Sequence, residues 1–311
     1  MSLALLFPGQ GSQEVGMGRA LALEFEEAAR TFREADEVLG LPLSRIMWEG
    51  PEDELVQTRN AQPALLTHSV AVTRVMGPRL RSASMAAGHS LGEFSAHVAA
   101  GTLSFGDALQ AVRRRGDLMF EAGEARPGTM AAILGMEDDE VARLCERVST
   151  EESVVVTANV NSPGQIVISG DLDAVERAME QAGEAGARRV VPLNVSGAFH
   201  SPLMEPAREG LRSHLQGISF HRPAFPIISN VTAEPVTEAE EARRLLVDQL
   251  TSPVLWASSV SGMVEAGVSR FVEIGPGSVL RGLNRRIARE IPTASVGMPS
   301  EVRAWHEESE K

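Results

Sequence analysis

The pentapeptide Gly88-His89-Ser90-Leu91-Gly92 constrains this chain more than any other stretch. Residues 82–87 before it are small and apolar, which suits a buried strand, and residues 91–100 after it read as a helix. Gly-x-Ser-x-Gly between strand and helix is the nucleophile-elbow pattern. Its glycines let the backbone turn sharply and leave the serine hydroxyl exposed at a helix N-terminus. There, backbone N–H groups and the helix dipole can stabilise a developing oxyanion. A tight glycine turn with an ordinary serine fits the same five residues. A catalytic reading therefore needs a base, an oxyanion hole and a substrate anchor from elsewhere in the chain.

The 311 residues suffice for one large domain or two smaller ones. A formal charge of −13 argues against a nucleic-acid partner, which needs a basic face. Cys145 is the only cysteine, so neither an internal disulfide nor a thiolate metal cage is expected. Residues 1–7 are apolar but short, lack a positive leader and run into Pro8-Gly9, so no secretory signal is expected. No apolar run is long enough to span a membrane, and a cytoplasmic enzyme is the class these features favour.

Residues 3–7 read as a buried strand, followed by the loop Pro8-Gly9-Gln10-Gly11-Ser12-Gln13 and a helix over 17–39. The loop fails the dinucleotide fingerprint, because Glu14 stands where its third glycine belongs. It reads better as a flexible loop whose N–H groups face an active site. Helices are expected over 51–58, 61–76 and 104–123, the last carrying Arg113-Arg114-Arg115. From Gly128 the order becomes β-α-β-β-α-β, with Asn161-Ser162-Pro163-Gly164 turning between the middle strands. A ferredoxin-like small domain at 128–195 is thus expected inside a larger one formed by 1–127 and 196–311. In the latter, helices over 202–215, 238–250, 254–266 and 279–289 surround an extended segment at 220–229 and a short strand at 271–274. Residues 301–311, which end in the chain's single lysine, Lys311, are expected to fray.

Few histidines could serve Ser90. His89 is its sequence neighbour and cannot face it, and His97 lies roughly 10.5 Å along the helix at 1.5 Å per residue. His68, His214, His221 and His306 sit in or beside regular segments without loop chemistry around them. His200 lies in the glycine-containing loop Ser196-Gly197-Ala198-Phe199-His200-Ser201-Pro202 just before a helix. A capping or turn histidine would fit that position equally well.

Taken together, the first loop, the elbow through Glu93, Arg115-Gly116, residues 159–164, 197–204 and 249–256, and Glu273-Ile274-Gly275-Pro276-Gly277 resemble the malonyl-CoA:acyl carrier protein transacylase family. The resemblance runs from Leu3 to about Met298. It implies an α/β-hydrolase-like large domain with a ferredoxin-like insertion. It also implies Ser90 as nucleophile and His200 as general base, the histidine held by the backbone carbonyl of Gln249 instead of an aspartate. The oxyanion hole would be the N–H groups of Gln10 and Leu91. Arg115 would pair with the free carboxylate of the acyl group, beside Met119. A guanidinium suits that task, since its planar fork grips a carboxylate through two hydrogen bonds. Phe199 would fill space near the acyl α-carbon, and Asn159 would lie near the cleft.

The implied reaction moves a malonyl group from malonyl-CoA to the phosphopantetheine thiol of acyl carrier protein. No metal or tightly bound cofactor is expected. Arg281, Arg285, Arg286 and Arg289, or Arg188 and Arg189, are candidate docking residues for the acidic carrier. An esterase or thioesterase on the same elbow, a polyketide acyltransferase and a non-catalytic carrier-binding subunit are the competing readings. A hydrolase would not need Arg115, and it usually brings a conventional acid partner.

Overall fold

The segment Leu3–Phe7 is apolar throughout, and its last four residues are fully buried, as expected of a strand covered on both faces. In the computed structural model, which describes residues 2–309, it is the first of ten strands among the described residues. In chain order these are β1 (Leu3–Phe7), β2 (Met85–Gly88), β3 (Gly128–Leu134), β4 (Val155–Ser162), β5 (Gln165–Asp171), β6 (Arg189–Pro192), β7 (Ile227–Ile228), β8 (Pro235–Val236), β9 (Arg270–Ile274) and β10 (Thr293–Val296). The chain is α/β.

Six strands form one sheet in the order β10-β9-β1-β2-β7-β8. All its pairings are parallel except β7 with β8. Helices cover both faces, as parallel strands require. Leu5, Phe7 and Ala86 pack into one apolar cluster, and Ala4, Leu6 and Ala87 into another with Trp256 and Phe271. Ligands bind at the carboxyl ends of the strands in sheets of this kind. The register puts the ends of β1 and β2 side by side, with Phe7 opposite Gly88.

The other four strands form an antiparallel sheet in the order β4-β5-β3-β6, with the helices Asp138–Val148 and Leu172–Glu184 packed on it. It has its own core, including Ala131, Ile133, Leu144, Ile166, Ile168 and Val175. A parallel bridge between Asn159 and Val254 ties it to the large sheet's side of the molecule.

Several element boundaries differ from those read in sequence. The helix expected over 17–39 is two, Arg19–Glu24 and Glu26–Leu39, because Phe25 takes an extended conformation between them. The strand expected at 82–87 is Met85–Gly88, preceded by a 3₁₀ turn at Pro78–Ser82. A single helix Thr58–Met76 carries Pro63 inside it. Residues 202–215 divide into a 3₁₀ turn, Pro202–Met204, and the helix Glu205–Gln216. The last segment forms a helix, Pro299–Ser309, instead of fraying: Gly297 and Met298 donate to the Glu301 carboxylate, and Val302 is fully buried. Glu310 and Lys311, the end of the expected tail, lie outside the described residues. Strand β10 has no counterpart among the elements expected from sequence. Among the described residues no helix is long and apolar enough to cross a membrane.

Candidate active site

Adjacent strands β1 and β2 each end in a loop, and the two loops touch. A Cβ on Gly9 would lie 2.3 Å from the His89 carbonyl oxygen, so only glycine fits there. The elbow is as tight: a Cβ on Gly88 would meet the Gly92 carbonyl at 1.9–2.0 Å, and one on Gly92 would meet the Phe7 carbonyl oxygen at 2.1 Å. The glycines thus serve close approach, whereas the sharp turn falls on the serine itself, with φ 51°. Such a left-handed serine costs of order 1–3 kcal/mol and persists only where its surroundings hold it. Asn230, just after β7, does so: its Oδ1 accepts from the Ser90 N–H at 2.7 Å, and its Nδ2 donates to the Gly88 carbonyl at 2.7 Å.

His200 has a second left-handed backbone, φ 57°, directly before Ser201, whose hydroxyl accepts from the Leu203 N–H as the chain enters its 3₁₀ turn. Its Nδ1 lies 2.9 Å from the main-chain oxygen of Gln249. A carbonyl can only accept, so Nδ1 carries the hydrogen and Nε2 is left as an acceptor. Nε2 faces the Ser90 hydroxyl at 2.8 Å. Burial first, and the nearby Arg115 charge second, hold the imidazole down to about 3, so it is neutral and able to take a proton.

The three arginines of helix Phe105–Ala125 part company. Arg113 pairs with Asp117, and Arg114 lies 3.7 Å from Glu121, both partly exposed. Arg115 is 1% exposed. Its guanidinium donates to Gln62 Oε1 at 2.7 Å, to Gln249 Oε1 at 2.9 Å and to Ser90 Oγ at 3.0 Å. Nε has no partner. Burial lowers its pKa to about 10, leaving it charged at neutral pH. A fixed cation therefore stands beside the serine with donor capacity to spare.

These groups open into a cavity of about 560 Å³. Gln10, Leu91, Met119, Asn159 and Phe199 also line it, along with Met130 and residues 193–196 from the small sheet's side. The N–H groups of Gln10 and Leu91 donate to nothing among the described residues. Gln249 sits behind the wall, fully buried. His68 and His97 are buried away from the serine and pushed down to about 4 and 3 by desolvation.

Sequence reasoning missed three polar residues here. Gln62 joins Arg115 to Gln10 through the Thr58 hydroxyl, by contacts of 2.9 and 3.0 Å. Asn230 holds the elbow, and Glu93 accepts from Gln249 Nε2 at 2.7 Å. Glu93, three residues past the serine on the same helical turn, was visible in the sequence. Asn230 and Gln62 had no local signal, because the fold alone brings them in.

A sequence model of the family described as "Acyl transferase domain" matches residues 4–304. The chain belongs to that family. The malonyl CoA-acyl carrier protein transacylase of Bacillus subtilis (strain 168) is 47% identical over 300 residues, 96% of this chain and 95% of the relative. The acyl-carrier-protein-S-malonyltransferase from Bartonella henselae superposes with a TM-score of 0.95 at 42% identity, covering 100% of both chains. A malonyl-transacylase solved in complex with a type II PKS acyl-carrier protein gives 0.94 at 42% identity, over 99% of this chain and 100% of that one. The resemblance drawn from the motifs is borne out at the level of the family.

Proposed function

We propose that this chain transfers a malonyl group from malonyl-CoA to the phosphopantetheine thiol of an acyl carrier protein, through an ester on Ser90. One observation carries the choice of acyl group: a wholly buried arginine within hydrogen-bond reach of the nucleophile. A hydrolase of neutral esters gains nothing from such a cation, which would be left unpaired against an uncharged acyl chain.

The Ser90 proton moves to His200 Nε2 as Oγ attacks the thioester carbonyl, and the tetrahedral oxyanion is met by the N–H groups of Gln10 and Leu91. His200 returns the proton to the departing CoA thiolate. The carrier's thiol then repeats the steps in reverse and restores the serine. Arg115 has a further effect on timing. Its charge depresses the His200 pKa in the free site, and a bound acyl carboxylate cancels that charge. The base is thus strengthened when the right substrate is in place. Met119, Asn159 and Phe199 shape the acyl chamber, and no metal or tightly bound cofactor enters any step.

In this reading the six-stranded sheet, formed by 1–127 and 196–311, is an α/β-hydrolase-like domain. Residues 128–195 form a ferredoxin-like insertion, supported by the strand order β4-β5-β3-β6 and its separate core. Supply of fatty-acid synthesis in the cytoplasm is the setting we infer. A polyketide pathway is the second reading, favoured by the structural likeness to the transacylase solved with a type II PKS carrier. The carrier would dock on Arg281, Arg285, Arg286 and Arg289, which are exposed and in no ion pair among the described residues. Reversing Arg285 and Arg286 to Glu should slow transfer to the carrier and leave acylation by malonyl-CoA unchanged.

The deciding test is intact-mass analysis after mixing with malonyl-CoA in the absence of a thiol acceptor. A malonyl adduct on Ser90 is expected, and no adduct would sink the reading.

A further inference from the structure

Glu93 has no task in the proposed reaction, yet it lies directly behind the cavity wall, bonded to Gln249. It lies in the first turn of the helix Gly92–Ala99 and is 1% exposed. A carboxylate is kept so deep only where it is paired and hydrogen-bonded. Its Oε2 accepts from Gln249 Nε2 at 2.7 Å and from the Asn230 main-chain N–H at 3.2 Å.

Each partner leads directly to a reacting group. The carbonyl end of the Gln249 side chain accepts from Arg115, and its main-chain oxygen accepts from His200. The Asn230 side chain grips the Ser90 N–H and the Gly88 carbonyl. A carboxamide has one donor end and one acceptor end, and an ionised carboxylate can only accept. Glu93 therefore fixes the Gln249 side chain with its NH₂ inward and its oxygen towards the guanidinium. The flipped amide would set NH₂ against Arg115.

We propose that Glu93 is a positioning residue for acyl transfer, its buried carboxylate orienting Arg115 through Gln249 and the nucleophile elbow through Asn230. The proposal rests on the acyl-transfer reading. Charge supports it, since the guanidinium and the carboxylate attract each other across Gln249.

Burial pushes the Glu93 carboxyl up to about 7, against the lowering effect of Gln249, Asn230 and Arg115. The other groups on the elements packed around it are occupied or neutral. On helix Thr58–Met76, Arg59 lies over Phe120, His68 is held neutral by burial and Arg74 pairs with Glu34. On helix Phe105–Ala125, Arg113 pairs with Asp117, Arg114 lies beside Glu121, and Arg115 is the charge that acts on Glu93. Strands β1, β2 and β7 carry no titratable side chain, and burial holds His89, His97 and His200 neutral. Protonation of Glu93 turns one of its oxygens into a donor and removes the counter-charge of Arg115.

The test follows Ser90 acylation by malonyl-CoA, read by mass, in wild type and Glu93→Gln across the range of about pH 6 to 8. At the alkaline end the variant should be at least about tenfold slower, and its rate should stay level across the range. The wild-type rate should fall towards that of the variant as pH drops through about 7. A variant as fast as wild type, or slower by one constant factor at every pH, overturns the proposal. The latter is what a purely structural residue would give. Should the variant not fold, the wild-type profile decides. Measured at low malonyl-CoA, where the second-order rate reports the groups of the free enzyme, a level profile overturns the proposal and a fall centred near 7 supports it, because burial holds His200 well below that range in the free site. No adduct in wild type at any pH would instead remove the acyl-transfer reading itself, and this proposal with it.

Discussion

Behind β3 and β5 the small sheet encloses Ala131, Ile133, Leu144, Ile166 and Ile168 with a single thiol, Cys145, which burial pushes up to about 12. At the carboxyl ends of β1 and β2 the large sheet closes over Glu93, Arg115, His200 and Gln249, every one of them 4% exposed or less. The small sheet is assembled as stability alone would dictate, with apolar side chains close-packed and no buried charge to satisfy. In the site, two charges and several amides are held out of water, where breaking any partnership leaves a costly orphan. Both left-handed residues of the reaction, Ser90 and His200, are also there. The comparison separates residues kept for packing from residues kept for chemistry, and substitutions in the two regions should fail in different ways.

The largest effect should come from Ser90→Ala, with acyl transfer falling at least about 10⁴-fold while thermal unfolding is almost unmoved. A variant that still accumulates a malonyl adduct would place the nucleophile elsewhere. Next is Arg115→Met, which keeps much of the volume and removes the fork. Acylation by malonyl-CoA should drop by about 10²-fold or more, and the preference for malonyl- over acetyl-CoA should collapse. If the two acyl-CoAs kept their ratio in that variant, the buried arginine would not be the anchor. In the small sheet the pattern should invert. Leu144→Ala should cost about 2–5 kcal/mol by urea titration and leave turnover per folded molecule unchanged, because Leu144 is fully buried in the small sheet's own apolar cluster and does not line the cavity. A changed selectivity would mean that the small sheet reports its packing to the cleft through β3, where Met130 lines it.

The two regions also differ in how far the sequence discloses them. The β-α-β-β-α-β order of the small sheet is legible because its periodicities are local: Asp138–Val148 and Leu172–Glu184 each show one apolar stripe, and their strands alternate or run apolar. In the site, Ser90, His200 and Arg115 stand out through motifs and the chemistry those residue types allow. The expected boundaries fail where a single residue redirects the chain, as Phe25 does between two helices. Gln62 and Asn230 are invisible in sequence because their roles arise from long-range packing: Asn230 meets Ser90 140 residues away in the chain. The elbow's motif points to the right turn for the wrong reason. Its glycines are required by the carbonyls pressed against them, and the strained angle belongs to the serine.

The smallest effect follows from the buried carboxylate, and it has an unusual sign. Folding raises the Glu93 pKa from 4.5 to about 7, so the folded state disfavours the ionised form. Stability from this group is complete below the ordinary carboxylate range and is lost as pH rises through about 7. At an alkaline pH the charge should therefore cost the fold up to about 3 kcal/mol, each tenfold change in proton affinity being worth about 1.36 kcal/mol. Glu93→Gln carries no such burden. It should unfold at higher urea than wild type near pH 8, and the advantage should shrink steadily towards about pH 4.5. Paired with the slower acylation expected of the same variant, a gain in stability would set Glu93 apart from Leu144, whose loss weakens the fold and spares the reaction. A variant less stable than wild type by the same margin at every pH would instead put Glu93 with the packing residues, and its hydrogen bonds to Gln249 and Asn230 would then outweigh the cost of its burial.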